Sequence, residues 1–189
     1  GAGAEDFAKE QGLEMVEDNM YFATPKTMEW IEKLKQESKK NGTVGCVVLD
    51  KQGNLTAGTS TGGMFKKRWG RIGDSPVIGA GTYADNNSCA VSCTGHGEYF
   101  IRHAVAFDVC ARYKYLKESV EKAADYIIHT ELNTNAGNGG LIAVDKLGNI
   151  AMPYNSGGMF RGFLYKEKGR PEIKKGCGIG KKIVVVGEK

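Results

Sequence analysis

The order of apolar and polar residues predicts two hairpins that share one kind of turn. The apolar runs Val44–Leu49 and Leu141–Val144 each lead into a turn of the form Asp-Lys-x-Gly-Asn. Such a turn between apolar runs is typical of a β-hairpin, and residues 55–60 would return from the first one. Residues 45–65 and 140–160 are identical at nine of 21 positions without a gap. The two hairpins therefore share their turn chemistry; a duplicated half-domain is the alternative.

Helical spacing of apolar residues predicts helices between and ahead of the hairpins. Two helices are expected over residues 97–114 and 117–132, where apolar side chains recur every three or four positions. Ahead of the first hairpin, a helix is expected from Ala4 to Gln11, and another from Pro25 until a polar linker at residues 37–42. Hairpins combined with helices in this order predict an α+β fold.

Composition is that of a soluble globular protein of one domain. The chain has 189 residues, of which 41% are hydrophobic and 25% charged. We expect no signal peptide, because acidic residues stand near the start, and no membrane span, because no apolar run approaches the required length of about 20 residues. Five scattered cysteines fit reduced thiols better than a disulfide framework. We therefore expect a cytoplasmic protein with no membrane partner.

The net charge of +4 does not indicate nucleic-acid binding. Residues 166–189 hold eight Lys/Arg and three Asp/Glu, so the rest of the chain sums to −1. A basic tail on a nearly neutral body is a weak electrostatic footprint for nucleic acid. We expect no nucleic-acid partner.

Four short blocks carry the candidate chemistry, at residues 42–45, 59–63, 70–76 and 93–98. They read Gly-Thr-Val-Gly, Thr-Ser-Thr-Gly-Gly, Gly-Arg-Ile-Gly-Asp-Ser-Pro and Cys-Thr-Gly-His-Gly-Glu. In this order they resemble the isoaspartyl peptidase and plant-type L-asparaginase family of the N-terminal nucleophile hydrolases. The segment from Asn155 to Arg161 also resembles this branch.

The resemblance implies an αββα sandwich that here lacks part of the usual N-terminal half. Residues 1–42 would be a remnant of the α-subunit region with its linker. Residues 43–189 would be the β-subunit-like catalytic region, and the two would form a single domain overall. The family's sodium site lies in a segment that this sequence does not match, so we expect no cofactor and no metal.

Thr43 is suited to act as a nucleophile once the chain is cut between Gly42 and Thr43. A free α-amine has a pKa of about 8, so it can take the proton of the hydroxyl on the same residue at neutral pH. The branched Cβ restricts χ1 and aims the hydroxyl. Gly42 offers little obstruction to attack on its own carbonyl. By resemblance, Thr61 would lie beside Thr43 and tune its hydroxyl.

The two later blocks would bind the substrate and its oxyanion. Arg71 could hold an α-carboxylate in a bidentate fork while Asp74 holds an α-ammonium. By resemblance, these positions and Gly97 bind the aspartyl part of the substrate. Thr94 and Gly95 would form the oxyanion hole. Thr94 could also simply cap the following helix, and the two interpretations are compatible.

The resemblance implies an amidohydrolase that cleaves asparagine, β-aspartyl dipeptides or both, after self-cleavage at the proposed site. Its partner would be a small-molecule substrate, and a homo-oligomer is expected because family relatives pair as dimers. A glycosylasparaginase-like hydrolase, an inert scaffold of the same fold and a nucleotide-binding module remain as alternatives. A zinc site at Cys89, Cys93 and His96 would lack a fourth ligand.

Overall fold

The computed structural model describes residues 2–16, 18, 24, 25, 28, 42–64, 70–166, 173–177 and 183–188. These residues fall into two compact units, residues 1–40 and 41–189. In the first unit, α1 spans Ala2–Glu10 and ends at Gly12, whose φ of +67° suits glycine. This confirms the first predicted helix. The helix expected from Pro25 and the linker at residues 37–42 lie largely outside the described residues.

The second unit contains two β-sheets. Sheet A has the strand order β2-β1-β9-β7-β8. Its strands are β1 (Gly42–Leu49), β2 (Leu55–Gly63), β7 (Gly162–Lys166), β8 (Ile173–Cys177) and β9 (Ile183–Glu188). Sheet B has the order β3-β4-β5-β6, formed by β3 (Thr82–Ala84), β4 (Cys89–Gly95), β5 (Gly139–Asp145) and β6 (Ile150–Ala151). Sheet A is mixed, because β9 runs parallel to both β1 and β7, whereas sheet B is antiparallel.

The helices of the second unit lie between β4 and β5 in the chain. They are α2 (Gly97–Arg102), α3 (Val105–Ala111), a π-helical turn (Arg112–Leu116), α4 (Val120–Tyr126), a second π-helical turn (Ile127–Glu131) and α5 (Leu132–Thr134). Ser119 caps α4 by accepting the N–H of Lys122 at 3.2 Å. Among the residues that the structure describes, no helix is long and apolar enough to span a bilayer.

The layers follow from the alternation of side chains along β4 and β5. Val91 and Leu141 join a core cluster with α2 to α5, while Ala90 and Ile142 belong to a second cluster with Val47 of sheet A. Sheet B is thus covered by helices on one face and by sheet A on the other. The described part of the second unit is a three-layer arrangement of helices, sheet B and sheet A, which confirms the α+β prediction.

Both predicted hairpins are present with the expected turn. In each, one aspartate carboxylate closes the turn: Asp50 accepts the N–H groups of Gln52 and Asn54, and Asp145 accepts those of Leu147 and Asn149. The return strand β2 extends to Gly63, three residues beyond the predicted end. The shared turn chemistry of the two hairpins is therefore confirmed.

Two features of this region were predicted wrongly. No strand was expected at β4, because its small residues are buried on both faces and show no alternation of polar and apolar positions. The helix expected over residues 97–114 breaks at Ala104, which has a φ of +45°. After this break, the N–H groups of Ala106 and Phe107 bond the carbonyls of Ala80 and Gly79. The break thus anchors the start of α3 to the loop before β3.

Candidate active site

The layer between the two sheets changes from apolar to hydroxyl-bearing towards one end. Val47, Leu49 and Leu55 fill it at the end where the first hairpin turns. Strand alternation places Thr43 on the same face of β1 as Val47, and Thr61 on the same face of β2 as Leu55. The hydroxyl-bearing end is therefore built by the same faces that form the core.

Thr43, Thr61 and Gly42 form a short hydrogen-bonded chain. The Thr43 hydroxyl donates to Thr61 Oγ1 at 3.2 Å, and the Thr61 hydroxyl donates to the Gly42 carbonyl at 2.8 Å. The N–H of Gly63 fixes Thr61 Oγ1 from the other side at 2.9 Å. The pairing of β1 with β2 shifts register between Gly42 and Thr43, so the peptide bond that joins them lies opposite an irregular point of β2. The two hydroxyls and the Gly42 carbonyl are therefore already adjacent in the continuous chain.

Arg71 and Asp74 lie in the loop that follows β2. Arg71 is exposed and its Nη1 lies over Gly73, where an added Cβ would be 3.5 Å away. Asp74 is only 6% exposed, and its backbone carbonyl accepts the N–H groups of Val77 and Gly81 at 2.9 and 3.1 Å. An exposed guanidinium and a buried carboxylate thus stand three residues apart in one loop, and opposite charges of this kind suit recognition of a zwitterion.

Gly95 and Gly97 lie where β4 gives way to α2, and close packing explains both glycines. A Cβ at Gly95 would lie 2.3 Å from the carbonyl oxygen of Asn138. A Cβ at Gly97 would lie 2.7 Å from Oδ1 and 2.9 Å from the backbone nitrogen of Asp74. The start of α2 is therefore in direct contact with the buried carboxylate.

These elements enclose a cavity of about 340 Å³, a size that suits a small-molecule ligand. Six of the seven predicted catalytic and substrate-binding residues line it. The predicted residues among its lining are Thr43, Thr61, Arg71, Asp74, Gly95 and Gly97. Thr94 is not among the lining residues; it is half-buried at the end of β4, on the face that Ser92 shares.

The alternative role of Thr94 as a helix cap is wrong. Thr94 belongs to β4, and the residue that precedes α2 is His96, which makes no side-chain capping bond. Sequence reasoning also left Thr59 and Ser92 out of the site. Thr59 lines the cavity and its Oγ1 lies 2.7 Å from Ser92 Oγ. Its position two residues before Thr61 was a usable signal, but Ser92 could not be placed without predicting β4.

The thiols near the site do not gather around a metal. Cys89 donates to Cys110 Sγ at 3.0 Å, deep in the helical side of sheet B. This hydrogen bond and burial together raise the pKa of Cys89 well above its ordinary value. In the part of the chain that the structure describes, no three His, Cys, Asp or Glu side chains converge as metal ligands would.

Comparison with known proteins points to one family. The family model described as asparaginase matches residues 1–172. The chain is 46% identical to the isoaspartyl peptidase of Salmonella typhimurium over an alignment of 179 positions. It is 42% identical to that of Escherichia coli over an alignment of 192 positions, gaps included. It is 42% identical over 193 residues to a probable isoaspartyl peptidase/L-asparaginase of Arabidopsis thaliana.

These alignments cover most of this chain but only part of each relative. They include 87%, 89% and 85% of the chain, and 57%, 60% and 58% of the respective relatives. The chain therefore spans somewhat more than half the length of the curated proteins that it matches.

Proposed function

Because the chain belongs to the asparaginase family, we propose that it is an amidohydrolase with Thr43 as its nucleophile. Its substrates would be L-asparagine, cleaved at the side-chain amide, and β-aspartyl dipeptides, cleaved at the isopeptide bond. The relatives described above are named for these two activities. The observation that carries the proposal is the hydrogen-bonded chain from Thr43 through Thr61 to the Gly42 carbonyl.

This chain of hydroxyls supports self-cleavage as the first step. Thr43 Oγ1 would attack the carbonyl carbon of Gly42, forming an ester as the C–N bond breaks and the amide nitrogen takes up a proton. The Thr61 hydroxyl already donates to the carbonyl oxygen on which negative charge would develop. Water would then hydrolyse the ester, leaving a carboxylate on Gly42 and a free α-amine on Thr43.

The matured Thr43 would then carry out hydrolysis in two further steps. Its amine would accept the proton of its own hydroxyl as the oxygen attacks the substrate amide carbon. Thr94 and Gly95 would stabilise the tetrahedral oxyanion, and ammonia or the amino component of the dipeptide would leave with a proton. Water would hydrolyse the remaining ester and release aspartate.

Substrate recognition would come from the loop and from the start of α2. The Arg71 guanidinium would bind the α-carboxylate of the substrate, and the Asp74 carboxylate its α-ammonium. Gly97 would allow the buried carboxylate to lie against α2, and its N–H would face the same space. Both charged residues and Gly97 border the cavity, which supports this assignment.

We propose the finer structural and cellular assignments on the same basis. The three described layers would be part of an αββα sandwich, with residues 1–42 belonging to the α-subunit region and residues 43–189 forming the catalytic region. The protein would form a homo-oligomer, as expected from the family, and would need no cofactor. The four cysteines that the structure describes in the reduced state support a cytoplasmic location.

The test uses the protein as it occurs, with any sequence that flanks these 189 residues. Matured protein should release aspartate from β-aspartyl-leucine, from asparagine or from both, and the variant Thr43→Ala should release it from neither. Thr43→Ser should keep measurable activity, because serine provides the same hydroxyl and amine. A matured wild type that hydrolyses neither substrate would contradict the proposal and favour an inert scaffold.

A further inference from the structure

One hydroxyl pair joins the two sheets at the wall of the cavity. Thr59 Oγ1 of β2 lies 2.7 Å from Ser92 Oγ of β4, and it also donates to the Gly81 carbonyl at 3.2 Å. Ser92 is fully buried and Thr59 half-buried. Ala90, on the same face of β4, and Ile142, the β5 partner of Ser92, belong to the apolar cluster between the sheets. Apolar side chains of the same shape at both positions would cost little stability, so stability alone does not require two hydroxyls here.

The pair lies one side-chain layer behind the proposed catalytic hydroxyls. Thr59 precedes Thr61 by two residues on the same face of β2, and Ser92 precedes Thr94 by two residues on the same face of β4. Successive residues on one face of a strand are about 7 Å apart. The contact therefore fixes the strand next to the nucleophile against the strand that leads to the oxyanion site.

The third partner, Gly81, connects this contact to the loop that carries Arg71 and Asp74. The Gly81 carbonyl that accepts the Thr59 hydroxyl also accepts the N–H of Cys93 at 2.8 Å. The N–H of Gly81 donates to the Asp74 carbonyl at 3.1 Å. A Cβ at Gly81 would lie 2.5 Å from that same oxygen, so the two backbones are in close contact. Thr59 of β2 thus bonds β4 directly through Ser92, and it connects to Asp74 through Gly81.

The direction of the hydrogen bonds follows from counting protons. A carbonyl can only accept, so Thr59 must use its single proton on Gly81. The Ser92 hydroxyl must then donate to Thr59 Oγ1. Loss of the Thr59 hydroxyl removes both bonds, whereas loss of the Ser92 hydroxyl removes one.

We propose that Thr59 is a positioning residue. It sets the distance between β2, which pairs with the strand of Thr43, β4, which leads to Thr94, and the loop of Arg71 and Asp74. This inference rests on the proposed function of the same site. Thr59 would make no bond to substrate, and its effect would pass through Thr61, Thr94 and Asp74. An error of about 1 Å in the position of reacting groups can slow a reaction about 100-fold.

The test compares Thr59→Val with Thr59→Ser, and uses Thr56→Val as the matched control. Thr56 is exposed on the same strand, so its valine variant loses a hydroxyl of the same kind away from the contact. With kcat counted per matured site, Thr59→Val should lower kcat about 10- to 100-fold. KM should change less than kcat does, because the Gly81 N–H still bonds the Asp74 carbonyl in this variant. Thr59→Ser and Thr56→Val should stay close to wild type.

Ser92→Ala serves as a second variant if Thr59→Val fails to fold, and it should lose less activity because one bond remains. Hydrogen–deuterium exchange gives a readout that does not need turnover. Amides of residues 55–63 and 89–95 should exchange faster in Thr59→Val than in Thr59→Ser. Exchange in Thr59→Val equal to that in Thr59→Ser would overturn the inference. So would a wild-type kcat for Thr59→Val, provided that the wild type itself matures and hydrolyses the substrate.

Failure of the proposed function gives a different pattern. A wild type that neither matures nor hydrolyses would contradict the amidohydrolase assignment without involving Thr59. The exchange comparison would still decide whether the hydroxyl pair fixes the two strands. Equal loss of stability and activity in Thr59→Ser and Thr59→Val would also overturn the positioning role, because serine keeps both hydrogen bonds.

Discussion

Replacing Gly97 with alanine should damage substrate binding through a contact that the structure defines. The new Cβ would lie 2.7 Å from Asp74 Oδ1, 2.9 Å from the Asp74 nitrogen and 3.3 Å from the Gly73 Cα. An unstrained contact needs about 3.5 Å, so the aspartate and its loop must move by roughly 0.8 Å. Because one of the close atoms is backbone, rotation of the side chain alone cannot relieve the overlap.

The magnitude follows from two opposed effects. Overpacking in a well-packed region costs about 1–3 kcal/mol. Alanine gains at most about 1 kcal/mol over glycine in a helix, and Gly97 is the first residue of α2. The clash should therefore prevail, and a shift of this size in a charged ligand-binding group should raise KM at least about 10-fold.

The assay is steady-state hydrolysis of β-aspartyl-leucine by matured protein, with the melting temperature measured in parallel. Gly58→Ala is the control, because Gly58 lies in β2 and an added Cβ meets no atom within 4 Å. We expect a raised KM for Gly97→Ala with kcat less affected, and wild-type kinetics for Gly58→Ala. A Gly97→Ala variant with wild-type KM would refute the proposed contact between α2 and the substrate-binding carboxylate.

Three further predictions concern other parts of the molecule. Replacing Thr61 with valine removes the donor to the Gly42 carbonyl and should slow self-cleavage roughly 100- to 1,000-fold on a gel time course; maturation at the wild-type rate would contradict this. The hydrogen bond to Cys110 and burial raise the pKa of Cys89, and both thiols are buried, so iodoacetamide at about pH 8 should alkylate neither of them before urea unfolds the protein. Labelling of either of these two thiols in the native protein, located by peptide mass spectrometry, would argue against that pair. Hydrogen bonds from the backbone N–H of Asn87 and then from Lys114 lower the pKa of Asp85. The Asp85 carboxylate therefore stabilises the fold fully above about pH 4, and this stabilisation is lost as pH falls further. Asp85→Asn should reduce this acid-side loss in urea titrations, and an unchanged pH profile would count against it.

The hairpins were predictable because their turns use local chemistry. Asp50 and Asp145 each bond backbone groups within the next four residues, so the pattern is complete in a short stretch of sequence. Strand β5, which is buried along its whole length, was likewise visible as a short apolar run. Local hydrogen bonds and periodicity therefore accounted for the elements that flank the site.

The missed elements depend on partners far away in the chain. β4 contains small residues buried between the helices and sheet A, and neither burial can be read from its own sequence. The break at Ala104 exists because the following N–H groups bond Gly79 and Ala80. Tertiary contacts of this kind override local propensity.

The candidate site shows the same division. Thr43 and Thr61 were assigned from short motifs, and they prove to lie 3.2 Å apart across two strands. Thr59 and Ser92 are separated by 33 residues and meet across two sheets. Short motifs can thus identify residues that lie together at the cavity. A contact between strands that are distant in the chain can be identified only once the strands are placed.

The central claim is that the chain cuts itself between Gly42 and Thr43 and thereby creates its nucleophile. The most direct measurement is intact mass combined with N-terminal sequencing of the protein as it occurs, before and after prolonged incubation. We predict two chains, the second beginning at Thr43, and a single uncut chain for Thr43→Ala. An uncut wild type, or a break at any other peptide bond, would contradict the account.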